Sequence, residues 1–168
     1  MGYWGYFVVG RAELPLAGRD ALAGAGGDLT LRTEAPDGWQ VWELPGREGE
    51  LGSMNELARE TGVPALFGYV MDGACVAVEA ASPESGVWTA CLGRDAMAGY
   101  LDGRREGLAV DDYFLDPTDA AERAVFWAEE AGRTVAAEEV LQVLTADPGP
   151  MAENLFFRLL DRLRVVPE

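Results

Sequence analysis

Histidine and lysine are both absent from this 168-residue chain, so acid–base and nucleophilic chemistry would fall chiefly to 29 carboxylates and two cysteines. Without imidazole there is no histidine triad, no imidazole base and no histidine metal site. Without a lysine amine there is no Schiff-base chemistry. The sequence contains neither a phosphate loop nor a nucleophile elbow. Carboxylate pairs of the kind that hydrolyse glycosides could be drawn almost anywhere, so none stands out. The chain names no catalytic residue, implies no cofactor and leans away from an enzyme.

The cysteines are Cys75 and Cys91. Pairing their strands symmetrically about a turn at Ser82-Pro83-Glu84-Ser85 sets Cys75 near Leu92 and Cys91 near Val76. That register puts the two sulfurs on opposite faces of a sheet, out of bonding reach. Arg94 is the nearest cation and falls past the strand end, so both thiols are expected to be buried, reduced and quiet. Two cysteines are too few for a metal centre, and no metal site is expected.

Two surfaces could recognise a partner. In the same register Glu79 stands opposite Trp88, while Arg32 and Trp42 share a face of an earlier hairpin. A carboxylate beside an indole suits a cation or a flat aromatic cation, which makes Glu79, Trp88, Arg32 and Trp42 the candidate ligand site. The plainer alternative pairs Glu79 with an arginine such as Arg32. The second surface is the segment from Glu106 to Glu139, with ten carboxylates against two arginines. Its stretch DDYFLDPTD lacks the oxygen spacing and central glycine of a calcium loop. Asp116 and Asp119 are accounted for by helix capping. Asp111, Asp112, Glu129 and Glu130 are not, and with Tyr113 and Phe114 as apolar anchors they would form a docking surface for a basic protein. The net charge of −16 fits that partner and disfavours nucleic acid and anionic membrane.

These residues need a frame. Ala65–Met71, Cys75–Ala81 and Gly86–Leu92 read as strands joined at Asp72-Gly73 and at Ser82–Ser85. Tyr3–Gly10 is apolar on both alternating sets and belongs mid-sheet. Leu29–Glu34 and Gly38–Leu44 form a hairpin across Ala35-Pro36-Asp37. An Ala-rich helix is expected over Leu14–Ala25, ended by Gly24–Gly27. Another is expected after a Ser53/Glu56 capping box, stopped by Gly62 and Pro64. A third covers Asp95–Asp102, closed by Gly103, with Met97, Tyr100 and Leu101 packing inward. Beyond Leu108 the pattern is helical: an Asp116-capped helix to about Ala131, then Thr134–Leu144, then Pro150–Leu163 with Met151, Leu155, Phe156, Leu159, Leu160 and Leu163 on its apolar face.

The two hairpins resemble one another, LTLRTEAPDGWQVWEL beside VAVEAASPESGVWTACL, and a Gly-Tyr pair opens each half. The expectation is an α+β fold: a mixed or antiparallel sheet of two related hairpin units with short helices, plus a helical C-terminal third. Residues 1–104 would hold the sheet, duplicated at about 1–62 and 63–104, and 105–168 the helices. A chain this long buries roughly 70% of its unfolded surface without metal or disulfide. No apolar run approaches the roughly 20 residues of a membrane span, and the N-terminus lacks a signal-peptide pattern. Arginine supplies all 13 basic residues and isoleucine is missing, as a GC-rich bacterial genome would dictate. The composite expectation is an acidic, cytoplasmic, non-enzymatic bacterial protein that binds a basic protein, as an immunity-type inhibitor or accessory subunit would. A domain that binds a cationic aromatic ligand is the alternative, and a carboxylate-dependent hydrolase comes third.

Overall fold

Gly5–Arg11 forms β1, and its lack of a polar face is explained by where it lies. It pairs with β3 (Trp39–Pro45) on one side and β4 (Ala65–Met71) on the other. With β2 (Thr30–Glu34), β5 (Cys75–Ser82) and β6 (Gly86–Leu92) it makes a six-stranded sheet in the order β2-β3-β1-β4-β5-β6. Every neighbouring pair is antiparallel. The computed structural model describes residues 2–25, 27–47, 50–102 and 109–168. Gly26, Gly103 and Glu106 lie outside them, as do the 104/105 boundary and the side chain of Leu101.

One face of the sheet is covered by α4 (Pro117–Glu130), α5 (Ala137–Thr145) and α6 (Ala152–Arg162). Phe7, Val9, Trp39, Val41, Leu66, Val70, Val78 and Trp88 face that layer and are buried beneath it. The last helix turns Leu155, Phe156, Leu159 and Leu160 inward at its i, i+4 spacing, while Met151 is 51% exposed and sits outside the expected stripe. Gly68 lets α6 come this close: a Cβ there would lie 2.5 Å from a Phe156 ring carbon. Trp127 is wholly buried and donates its indole N–H to the carbonyls of Ala65 and Ala81, each at 3.1 Å. The helical layer is thus pinned to β4 and β5 by polar contact as well as by packing.

Among the described residues the opposite face is covered only at its two ends. At one end α1 (Met54–Thr61) and two single 3₁₀ turns (Leu16–Gly18 and Asp20–Leu22) bury Val8, Leu44, Ala65 and Ala81. At the other, α2 (Arg94–Asp102) and α3 (Val110–Tyr113) lie over Met71, Cys75 and Cys91. The fold is α+β, an antiparallel sheet with helices on both faces. Among the described residues no helix is long and apolar enough to cross a membrane.

Several local expectations are corrected. Leu14–Ala25 is no single helix, because Arg19 adopts an extended conformation (φ −77, ψ 144) between the two turns. Tertiary bonds hold it so: Gln40 Oε1 accepts from Leu16 N–H, and the Glu60 carboxylate accepts from the N–H groups of Asp20 and Ala21. Ser53 does cap α1, accepting from Asn55 N–H at 3.1 Å. The Met54 N–H, however, is taken by Glu79 from β5, so a side chain distant in sequence stabilises this helix start. The last two helices of the C-terminal set begin later than expected, α5 at Ala137 rather than Thr134 and α6 at Ala152 rather than Pro150.

The consequential correction is a one-residue slip in the central hairpin. Ser82 pairs with Gly86, so the loop holds three residues rather than four. Ala80 then faces Trp88, Glu79 faces Thr89 and Ala77 faces Cys91. A slip of one residue turns every side chain of one strand to the other face. Cys75 and Cys91 therefore share a face, where opposite faces were expected.

Each half of the sheet contributes three neighbouring strands followed by a helix, and Tyr6 pairs directly with Tyr69 at the join. The halves differ in order. The Trp-bearing strand β3 lies inside β2, whereas its counterpart β6 is the sheet edge.

Candidate functional site

Between the two covers of the second face a strip of sheet remains half-exposed. It crosses β1, β4, β5 and β6 through Tyr6, Phe67, Tyr69, Ala77, Glu79 and Thr89, all neither buried nor fully exposed. Adjacent strands are about 4.8 Å apart, so this trough is about 14 Å long across the strands. Its floor is aromatic at the β1–β4 end. Tyr6 stacks on Tyr69 with ring centroids 4.4 Å apart and meets Phe67 edge-on at 5.3 Å. Trp4 packs against Tyr69 and Tyr100 at 6.2 and 6.1 Å and forms a wall with α2.

The strip is negatively biased. Burial pushes the Tyr6 phenol above its ordinary pKa, and Tyr69 and the carboxylates of Glu50 and Glu79 push it the same way. The strip also holds a cation already: the Arg47 guanidinium lies 4.1 Å from the Trp4 ring centroid, and the Arg47 carbonyl accepts from the Tyr69 hydroxyl at 3.5 Å. At the far end the Thr89 hydroxyl donates to the Tyr113 carbonyl at 2.7 Å, and Leu115 N–H donates to the Thr89 carbonyl. This seats the Tyr113 to Leu115 stretch of the acidic segment at that end of the trough.

The four residues expected to form a ligand site do not come together. Glu79 and Trp42 are on the trough side of the sheet, Trp42 two strands beyond β4 and bonded through its N–H to Gln40. Trp88, 4% exposed, points into the core under the helices because of the register slip. Arg32 lies on that helical side as well. A bulge between Leu31 and Thr33 separates it from Trp42, and it pairs with Glu43 at 3.0 Å. The same bulge leaves Leu29 and Leu31 on the Trp42 side. Glu43 also accepts from the Tyr3 hydroxyl, whose pKa is pushed up by burial and by that carboxylate.

The acidic segment divides likewise. Tyr113 is 40% exposed, as an anchor would be, and Glu129 is exposed. Phe114 instead packs against the Cys75–Cys91 end of the sheet. Asp111 pairs with Arg94 but stays largely solvated, and Asp112 accepts from Ala109 N–H as part of the α3 start. Glu130 is structural: it accepts from the Ser82 and Ser85 hydroxyls and from the N–H groups of Glu84 and Ser85, clasping the β5–β6 loop to α4. Sequence reasoning missed Phe126, 53% exposed on α4, and the Tyr6–Phe67–Tyr69 floor. The paired Gly-Tyr dipeptides were the one signal for the floor, since they become the directly opposed Tyr6 and Tyr69. No protein family model matches this chain, and neither a curated protein nor a solved structure matches it.

Proposed function

We propose that this chain is an acidic, cytoplasmic, non-enzymatic binding protein for a basic protein partner, and that an arginine-bearing segment of the partner lies along the trough. The supporting observation is the trough itself: aromatic floor, flanking carboxylates, and a guanidinium already seated on Trp4. Guanidinium planes stack on aromatic faces and pair with carboxylates, and both kinds of contact are offered here within one strip. The net charge of −16 adds long-range attraction for such a partner. A flat cationic aromatic ligand is the second reading, favoured by the near-parallel Tyr6 and Tyr69 rings at 26°. Hydrolysis by paired carboxylates gains no support at this strip, where Glu79 is occupied in capping α1.

The test uses defined probes. An arginine-rich peptide, a lysine-rich peptide of equal length and a planar dye cation are titrated at low and high salt. The arginine peptide is expected to bind best and to weaken as salt rises. Tyr6→Ala should weaken it by roughly 30-fold, the loss typical of a true anchor. Glu79→Gln keeps the cap acceptor and should weaken it while leaving stability close to wild type. Preference for the dye with little salt dependence selects the small-ligand reading. Binding that ignores both substitutions would sink both readings.

A further inference from the structure

The register slip that separates Glu79 from Trp88 brings sulfur together. Met71, at the end of β4, lies directly opposite Cys75 at the start of β5. Cys91 on β6 lies opposite Ala77, on the same face and diagonal to Cys75, and Met97 descends from α2 onto both. The four are 6%, 0%, 2% and 1% exposed and share a single buried cluster with Val110. Both cysteines of the chain and two of its five methionines meet in that one cluster. Directly opposed residues in a sheet have Cβ atoms about 5 Å apart and diagonal ones about 7 Å. Thiol and thioether side chains can close such gaps around one ion.

We propose that Met71, Cys75, Cys91 and Met97 form a binding site for Cu(I). Thiolate and thioether are the soft ligands that select this ion. The chain has no imidazole to offer, and the two carboxylates that act on the thiols are engaged elsewhere, Asp72 by Gly2 N–H and the Tyr100 hydroxyl and Asp111 by Arg94. Among the described residues no group of three His, Cys, Asp or Glu side chains could hold a metal, so the thioethers are what complete the set. On binding, two S–H bonds break and their protons pass to solvent. Two Cu–S bonds form, the thioethers donate lone pairs, and copper remains monovalent. Two thiolates around one monovalent ion leave a single negative charge. Arg94, whose Nη1 lies 4.0 Å from Cys91 Sγ while its Nη2 pairs with the largely solvated Asp111, is the cation beside it.

The experiment supplies Cu(I) as its acetonitrile complex to the reduced full chain without oxygen, in competition with a chromophoric copper chelator. The expected result is retention of one ion per chain and a raised Tm, because the ion binds the folded form. Met71→Leu with Met97→Leu conserves core volume and should weaken retention about tenfold or more. Cys91→Ala should weaken it by at least about 100-fold, beyond what changes to outer partners cost. Complete stripping of the wild-type chain by the chelator overturns the proposal. So does equal retention by the double leucine variant, which would mean that any thiol pair suffices. A Tm that falls on adding copper would show binding to the unfolded chain and overturns it too.

Discussion

Trp127→Ala is expected to destabilise the protein by about 5 kcal/mol, the largest loss of any single substitution considered. Truncating a wholly buried tryptophan removes its transfer free energy and leaves a cavity, about 3–5 kcal/mol together. It also removes the indole N–H from the carbonyls of Ala65 and Ala81, which sit opposite one another where β4 pairs with β5. Each buried acceptor left unpaired adds to the loss. Trp127→Phe separates the two contributions, keeping most of the ring and losing the donor, with an expected cost of about 2 kcal/mol. Urea unfolding followed by circular dichroism reads both. A loss below about 2 kcal/mol for Trp127→Ala would mean that α4 is not anchored at this point.

Glu130→Ala is expected to cost about 3 kcal/mol at neutral pH, although the residue is only half-buried and is the last of α4. Its carboxylate is the common acceptor for the hydroxyls of Ser82 and Ser85 and the backbone N–H groups of Glu84 and Ser85, and hydrogen bonds to an ionised group are the strong ones. Burial alone would raise the pKa of this carboxyl. The bonds from Ser82, Ser85 and the Glu84 and Ser85 backbone outweigh it and hold the pKa below the ordinary 4.5. The sign follows: the folded pKa is the lower, so the contribution is complete above the unfolded value and disappears as pH falls through the folded one. Wild-type stability should therefore fall more steeply than that of Glu130→Gln as pH drops below about 4.5. Parallel curves for the two proteins would remove Glu130 from the acid response.

How far the sequence could be read depended on how local the deciding contacts are. The strands of the sheet announced themselves because alternation and the Asp72-Gly73 turn are local, and both turn residues take the positive φ the turn requires (53 and 60). The Asp116–Pro117 helix start was equally plain, and Asp116 accepts from Thr118 N–H as a cap should. The loop length at Pro83–Ser85 was not legible, since Ser82 is held in the strand by Glu130, 48 residues away. The loop that Glu130 clasps goes with the register that puts Trp88 in the core and Cys91 on the face of Cys75. The Leu14–Ala25 stretch failed for the same kind of reason, its backbone donors being claimed by Gln40 and Glu60. For the candidate site, Glu79 and Tyr113 were found as separate features. Their adjacency through Thr89 depends on register and on where α3 docks, and neither is written in any one segment.

The strand order also separates the sequence of synthesis from the sequence of assembly. The N-terminal strand β1 ends up between β3 and β4, so Arg11 waits for Trp39 and Val9 waits for Leu66. By contrast, β4, β5 and β6 form a meander closed by three-residue loops, since Met71 pairs with Cys75 and Ser82 with Gly86. Short loops cost little closure entropy and pair quickly, whereas distant pairings are slow. The C-terminal half of the sheet is thus the natural nucleus, and β1 docks afterwards on the open edge of β4, bringing β3 and β2 with it. Pulse-labelled hydrogen exchange during refolding should find the β5 amides protected before those of β1. Until that docking, β1 is an apolar strand with a bare edge, the kind that pairs with whatever strand it meets first. An apolar strand that precedes both of its partners in the chain stays incompletely paired until they are in place, so the safe burial of β1 depends on how fast the meander is made.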